Sequence, residues 1–169
     1  SRGLGDVYKR QGNADMPEDC DGNFAFDSCE IGADPDLDRN GDGLLDACQG
    51  FTYYCVGAPN SAGPGARITA IGTTSVTANG FTLQATGCAP SEHGLFFFGS
   101  EMTQMPFGDG FRCVGPGSSG LHRLVPPVLS SPSGVLQKAI DLENPVGAAQ
   151  ALLAPGTTWN IPVSYTHLR

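Results

Sequence analysis

The chain has 169 residues and a formal net charge of −8, from 17 acidic and 9 basic side chains. An acidic chain repels phosphate backbones and anionic membranes, so this balance argues against nucleic acid as a partner and favours cations. The 24 glycines and 13 prolines predict many turns and little helix. No apolar run reaches the roughly 18 residues that a membrane-spanning helix needs.

The two ends of the chain differ from the rest. Residues 6–11 can be encoded by GATGTGTATAAGAGACAG, and residues 163–167 by the reverse complement of most of that string. Both ends therefore resemble a translated sequencing adapter. We expect residues 1–11 and 164–169 to be foreign, and the natural chain to continue beyond them. These stretches hold four of the bases and one of the acids, which leaves 16 acids against 5 bases.

The chain has an even number of cysteines, at Cys20, Cys29, Cys48, Cys55, Cys88 and Cys113. In an acidic, turn-rich chain this number indicates disulfides and an oxidising compartment, so we expect a secreted or cell-surface protein. Zinc is the alternative, but the sequence has no CxxC pair. His93 and His122 also have no ligand partner close to them in the sequence.

The density of charge changes sharply near residue 50. Eleven acids fall between residues 15 and 46, where Arg39 is the single base. Beyond this point charges are sparse, and β-branched and aromatic residues alternate with small polar ones. We therefore predict an Asp-rich segment over residues 12–50, a short linker at Gln49-Gly50 and a second domain over residues 51–163.

The Asp-rich segment contains two similar twelve-residue units, 19–30 and 38–49. Both carry oxygen-bearing side chains at positions one, three, five, nine and twelve, which is the ligand spacing of an EF-hand-type calcium loop. Calcium takes six to eight oxygen ligands, and position seven of such a loop adds a backbone carbonyl. The predicted ligands are Asp19, Asp21, Asn23, Asp27 and Glu30 in the first loop, and Asp36, Asp38, Asn40, Asp42, Leu44 and Asp46 in and before the second.

The two loops depart from the ideal pattern at different positions. The second has Gly43 at the turn position six, but Gln49 at position twelve cannot provide a bidentate carboxylate, so Asp36 or Asp34 is needed in its place. The first has a glutamate at position twelve, but Phe24 at the turn. We expect moderate or weak sites, with Kd on the order of 10⁻⁴ to 10⁻³ M, and one loop could be vestigial. The alternative is an acidic linker that binds no ion.

The two loop sequences also carry a family resemblance. The Asp-x-Asn-x-Asp-Gly-x-x-Asp core of the second loop resembles thrombospondin type 3 repeats and dockerin-type calcium loops. The Asp-Cys-x-Gly-Asn…Asp-Ser-Cys-Glu-Ile sequence of the first is similar to Cys-bearing tandem repeats of secreted bacterial proteins. No long amphipathic helix is expected beside either loop, so these are not full EF-hands. The resemblance implies an extracellular spacer that calcium makes rigid.

The larger domain is expected to be all-β, as a truncated β-sandwich. Short alternating or apolar runs are separated by turn residues such as Asn79-Gly80 and Pro126-Pro127. This spacing of strands is typical of a sandwich. One Ala-rich stretch, residues 146–153, could form a short helix. The predicted strands are residues 67–71, 81–85, 95–98, 111–114, 121–125, 135–142 and 157–163.

Several motifs of the larger domain define a second resemblance. They are Tyr54-Cys55, NSAGPG at residues 60–65, GLFFFG at 94–99, PFGDGFRCV at 106–114 and TWN at 158–160. They resemble an uncharacterised β domain at the C-terminal ends of secreted bacterial proteins. In that family an aromatic strand and a last cysteine follow the Trp-Asn motif, so the resemblance implies missing final strands and an exposed sheet edge.

The same resemblance implies a disulfide between Cys88 and Cys113, with Cys55 left without its partner. In the Asp-rich segment Cys20 and Cys29 could close the first loop, which would leave Cys48 odd. Other pairings remain open at this point.

No group of residues in the sequence predicts a catalytic centre, so we expect no enzyme. The GxGxxG match at residues 115–120 contains a proline and opens no helix, so a loop is expected. His93 lies beside Glu92 in a predicted turn, and Asp109 fits a turn better than a cation site. Trp159 with the phenylalanines before Gly99 could stack on a sugar, although core packing is favoured.

We therefore expect a non-catalytic calcium-binding module, structural or adhesive, of a larger secreted bacterial protein. Its expected partners are calcium and either a surface glycan or neighbouring domains, with no nucleic acid and no membrane span. The alternative is a carbohydrate-binding accessory domain of a secreted hydrolase, which an exposed row of aromatic side chains on one sheet face would favour.

Overall fold

The computed structural model describes residues 19–145 and 152–165. The chain divides into two compact units, Ser1–Thr52 and Tyr53–Arg169, which we call the acidic unit and the β unit. Strands far outnumber helices among the described residues, so the predicted all-β class is confirmed. The predicted linker at Gln49-Gly50 forms part of a turn that ends the acidic unit.

The described part of the acidic unit, residues 19–52, contains the two loops and two short helical elements. Helix α1 (Asp27–Ala33) starts at position nine of the first loop, and a 3-10 turn (Pro35–Leu37) leads into the second loop. The sequence analysis did not predict α1, although acidic residues in its first turn favour a helix start. Among the described residues of this unit, Leu45 is the one buried hydrophobic side chain, at 4% exposure. Polar contacts and a disulfide must therefore hold this unit together.

The described residues of the β unit form eight strands in three antiparallel sheets. Two sheets have three strands each, in the orders β1-β2-β7 and β6-β3-β8, and β4 pairs with β5 as a hairpin. The strands are β1 (Arg67–Gly72), β2 (Phe81–Thr86), β3 (His93–Phe98), β4 (Glu101–Phe107), β5 (Gly110–Gly115), β6 (His122–Leu129), β7 (Leu136–Ile140) and β8 (Val163–Tyr165).

The two three-stranded sheets share one hydrophobic core. Leu83 of β2 and Leu136 of β7 pack in the same buried cluster as Phe96 and Phe98 of β3. Every second residue of β3 is buried, as the period of a strand requires when one face meets a core. The shared cluster means that the two sheets pack face to face as a sandwich.

Two strands differ from the sequence-based prediction for physical reasons. β4 was missed because six of its seven residues are exposed, so its sequence lacks an alternating apolar pattern. β6 continues through Pro126-Pro127, where a turn was predicted. β6 lies at the edge of its sheet, so one side of the strand has no neighbouring strand. A proline has no N–H group, and on that open side no interstrand hydrogen bond is lost.

The C-terminal prediction was correct in part. A strand was expected over residues 157–163, but β8 begins at Val163 and includes Ser164 and Tyr165, which belong to the stretch set aside as adapter-like. β8 pairs with β3, and Asn160 forms a separate bridge with Gly99. The predicted helix over residues 146–153 lies mostly outside the described residues.

The disulfide pairs are Cys20–Cys48 and Cys55–Cys113, so the expected pairs of Cys20 with Cys29 and Cys88 with Cys113 were wrong. Cys88 lies in the sandwich core at 1% exposure, and this burial raises the pKa of its thiol to about 11. Sequence spacing could not reveal these pairs, because they depend on which segments pack side by side.

Candidate metal site

Both loops fold around the aspartate at position one. Asp19 accepts hydrogen bonds from the backbone N–H groups of Gly22 and Phe24, positions four and six, at 2.9 and 3.1 Å. Asp38 accepts from the N–H groups of positions four, five and six at 2.8, 3.1 and 2.9 Å. A carboxylate has about four lone-pair sites, so each aspartate keeps capacity for a cation.

The backbone of both loops is left-handed at positions four and six. Gly22 and Gly41 have φ angles of 75° and 72°, and Phe24 and Gly43 have 72° and 86°. Phe24 takes the place of the turn glycine in the first loop, and it adopts the same conformation as Gly43 in the second. Its ring is 84% exposed, so little packing offsets a backbone cost of about 1 kcal/mol. The shared glycine at position four is the turn signal that the sequence analysis missed.

The position-nine aspartates are buried and close each loop. Asp27 is 4% exposed and Asp46 is 3% exposed. An Asp27 oxygen accepts from the backbone N–H of Cys20 at 3.0 Å, and an Asp46 oxygen accepts from the backbone N–H of Arg39 at 2.8 Å. Both donors stand at position two, so the same contact ties the end of each loop to its beginning.

In the first loop, the side chains of positions three, five and twelve converge. The Asn23 amide nitrogen donates to Asp21 Oδ2 at 3.0 Å and to Glu30 Oε1 at 2.7 Å. Among the described residues, Glu30 Oε2 is buried and accepts no hydrogen bond. Two carboxylates therefore face one amide group, with an unused carboxylate oxygen beside them.

In the second loop, the same three positions meet with less charge. The Asn40 amide nitrogen donates to Asp42 Oδ2 at 3.0 Å and to Gln49 Oε1 at 3.2 Å. The Gln49 amide nitrogen donates to the same Asp42 oxygen at 2.7 Å. The amides of Asn40 and Gln49 thus both donate to the Asp42 carboxylate. Because their NH₂ groups point at this carboxylate, the amide nitrogens cannot act as metal ligands.

The remaining predicted ligands lie beside the second loop. Leu44 is at position seven, and its N–H group donates to Asp42 Oδ1 at 3.0 Å. Asp36 lies in the 3-10 turn before the loop, and Asp34 caps that turn by accepting from the Asp36 N–H group at 3.1 Å. Asp34 thus caps the 3-10 turn through one of its carboxylate oxygens.

A second cluster of ligand-type atoms lies where the loops meet. The sulfurs of Cys20 and Cys48 and a carboxylate oxygen of Asp27 are within 4.8 Å of one another. The two sulfurs form a disulfide, and metals bind the thiolate form of cysteine. We therefore interpret this cluster as a covalent joint between the loops.

Three of the four aromatic residues considered for sugar stacking pack in or against the sandwich core, and the fourth, Phe97, is half-buried outside the core cluster. Phe96 and Phe98 are fully buried, and the Trp159 ring meets Phe98 edge to face, with centroids 5.3 Å apart. The indole N–H donates to the carbonyl of Leu152 at 3.1 Å. These contacts hold Trp159 against the core, as the favoured interpretation expected.

Two of the other candidate positions of the β unit lie in a loop and a turn, and the third begins a strand. Residues 116–121 connect β5 to β6, and a strand rather than a helix follows, so the GxGxxG match, whose first glycine ends β5, forms a loop as predicted. Within it, the Gly117 N–H group donates to Glu101 Oε2 at 3.2 Å. Asp109 lies in the turn of the β4–β5 hairpin, also as predicted. His93 is exposed and begins strand β3, so the turn predicted at this residue was wrong.

Comparison with protein-family models, curated proteins and solved structures finds no match to this chain. Among the described residues, no helix is long and apolar enough to cross a bilayer.

Proposed function

We propose that the acidic unit binds Ca²⁺ and serves as a non-catalytic structural or adhesion module of an extracellular protein. One observation supports this most: two loops of different sequence repeat the same contacts of the carboxylates at positions one and nine with the backbone. An acidic linker that binds no ion gives no reason for this repetition. The spacing and resemblance to thrombospondin type 3 and dockerin-type loops agree with the proposal.

The donor set of the first loop suits a calcium ion. Asp19, Asp21 and Glu30 offer carboxylate oxygens, Asn23 offers an amide oxygen, and position seven offers a backbone carbonyl. Calcium accepts such hard oxygen ligands in a flexible shell of six to eight. The close carboxylates repel one another, and a divalent cation between them would replace this repulsion by attraction.

The second loop is proposed to bind calcium more weakly. Its ligand positions carry one carboxylate fewer, because Gln49 replaces the glutamate at position twelve and Asn40 replaces the aspartate at position three, while Asp42 replaces Asn23 at position five. The NH₂ groups of Asn23 and Asn40 each donate two hydrogen bonds, so the rotation that presents the amide oxygen is needed in both loops and the difference lies in the charge of the ligands. Lower ligand charge lowers calcium affinity.

The two disulfides are compatible with an oxidising, extracellular location. In this proposal calcium makes the acidic unit a rigid spacer, and the β unit provides the adhesive or structural surface. Trp159 and Phe98 support one another inside the sandwich, so the platform proposed for a carbohydrate-binding domain has no support from these residues.

A swap at position twelve tests the proposal. Glu30→Gln gives the first loop the residue of the second, and Gln49→Glu makes the reverse change. We expect Glu30→Gln to weaken calcium binding by about tenfold or more and Gln49→Glu to strengthen the weaker site, because a bidentate carboxylate is gained or lost. Calorimetric titration of Ca²⁺ measures both.

Glu143→Gln is the matched control, because it removes the same charge from an exposed position in the β unit. It should leave calcium affinity unchanged. Equal affinity in the wild-type chain and the Glu30→Gln variant would contradict the assignment of the first loop.

A further inference from the structure

The Cys20–Cys48 disulfide joins the two loops at residues that contact or directly precede predicted ligand positions. Cys20 is position two of the first loop, and its N–H group donates to the buried Asp27 carboxylate at 3.0 Å. Cys48 is position eleven of the second loop, directly before position twelve, and its N–H group donates to the carbonyl of Leu45 at 3.0 Å. The bridge therefore connects the beginning of one loop to the end of the other.

The described part of the acidic unit has almost no hydrophobic core to hold its loops in place. Leu45 is its single buried hydrophobic side chain among the described residues. Units of this size rarely fold on a hydrophobic core alone and depend on disulfides or metals. A bridge between residues 28 apart in sequence restricts the unfolded chain strongly, by a factor on the order of 100 in the ratio of folded to unfolded molecules.

The two bridges of the protein differ in their access to solvent. Cys20 and Cys48 are both exposed, whereas Cys55 and Cys113 are both partly buried. Thiol–disulfide exchange needs contact between the attacking thiolate and a sulfur atom. A reductant in solution can therefore reach the bridge of the acidic unit more easily than the bridge of the β unit.

We propose that the Cys20–Cys48 bridge is a redox-sensitive lock on calcium binding by the acidic unit. The oxidised bridge holds the loops in the folded arrangement, and its reduction lowers their calcium affinity. This inference rests on the calcium function proposed above. It adds that the binding site is controlled by the thiol–disulfide balance of its surroundings.

The chemical step is a two-electron exchange with a dithiol. A thiolate of the dithiol attacks one sulfur of the bridge, and the S–S bond breaks to leave a mixed disulfide and one protein thiolate. The second thiol of the reductant then displaces the other cysteine. The products are two protein thiols, which take up the two protons, and the oxidised cyclic form of the reductant.

Linkage makes the effect reciprocal. If reduction raises the calcium Kd by some factor, saturating calcium must favour formation of the bridge by the same factor. Calcium should thus protect this bridge from reduction. Magnesium, which demands a tighter octahedral shell, should protect it less.

Two full-length variants, each without one of the two disulfides, distinguish the effects of the two bridges on calcium binding. Both carry Cys29→Ser, so that the exposed Cys29 thiol cannot exchange with a bridge. One adds Cys20→Ser and Cys48→Ser, and the other adds Cys55→Ser and Cys113→Ser. We expect the first to bind Ca²⁺ at least about tenfold more weakly than the second, and to be cut by protease within the acidic unit at least about tenfold faster without calcium.

The second variant also allows a direct redox titration. Its Cys20–Cys48 bridge is equilibrated with a dithiol buffer, with and without saturating Ca²⁺, and the reduced fraction is counted by thiol alkylation and mass spectrometry. We expect calcium to shift the equilibrium towards the bridge by the same factor that separates the two calcium Kd values.

The outcomes distinguish the two proposals. Saturable binding with equal Kd in both variants would overturn the lock and leave the calcium function standing. No binding of Ca²⁺ by the oxidised wild-type chain would overturn the calcium function itself. The protease measurement needs no calcium, so equal cleavage rates in both variants would also overturn the lock.

Discussion

The residue at position six differs between the two loops, but its backbone conformation is the same in both. Gly43 makes the left-handed turn without steric cost, and Phe24 makes it with an exposed ring and a Cβ atom that this conformation disfavours. The N–H groups of both residues donate to the aspartate at position one. The hydrogen bond to the carboxylate therefore fixes the turn, and a glycine at position six only lowers the conformational free energy of the left-handed backbone.

We expect Phe24→Gly to stabilise the acidic unit by about 1 kcal/mol relative to Phe24→Ala. Both changes delete the exposed ring, so their difference isolates the backbone cost of a Cβ atom at positive φ. The free energy of local opening, measured by amide hydrogen exchange in the acidic unit, gives the comparison. If Phe24→Ala were as stable as Phe24→Gly, the left-handed turn at this position would be wrong.

At the scale of elements, the sequence carried enough information for the loops and for most strands. Ligand spacing is a local property, and the strands that alternate between core and solvent follow a local period. β4 could not be found this way, because its residues face solvent along nearly its whole length. Helix α1 has only seven residues and was also missed.

The disulfide pairs and the role of Gly99 depend on contacts between distant segments. Gly99 follows β3 in the GLFFFG motif, and a Cβ atom there would lie 2.5 Å from the carbonyl oxygen of Gly115. Its N–H group and carbonyl both bond to Asn160, at 3.1 and 3.0 Å. No periodicity in the sequence shows that three segments approach at this point.

We expect Gly99→Ala to destabilise the β unit by about 1–3 kcal/mol, because backbone atoms must shift to admit a methyl group. Gly80→Ala is the control, since its nearest neighbour would be 3.8 Å away and its φ is not positive. Urea unfolding followed by Trp159 fluorescence measures the difference between the variants. Equal stability of the two would show that the backbone at Gly99 has more room than the structure gives it.

At the scale of the whole molecule, the two units fold by different means. The β unit buries large apolar side chains between two sheets, whereas the acidic unit arranges carboxylates and backbone N–H groups around its loops. The composition also changes between the two units, because eleven acids lie between residues 15 and 46. In our account the cation and the bridge provide for the acidic unit the stability that a core provides for the β unit.

Calorimetric titration of Ca²⁺ into the oxidised full-length chain, with Mg²⁺ as the control ion, tests the calcium proposal most directly. The account predicts saturable binding with a Kd on the order of 10⁻⁴ to 10⁻³ M, tighter at the first loop and much weaker for Mg²⁺. A titration without heat at millimolar Ca²⁺, or with equal heats for the two ions, would contradict it.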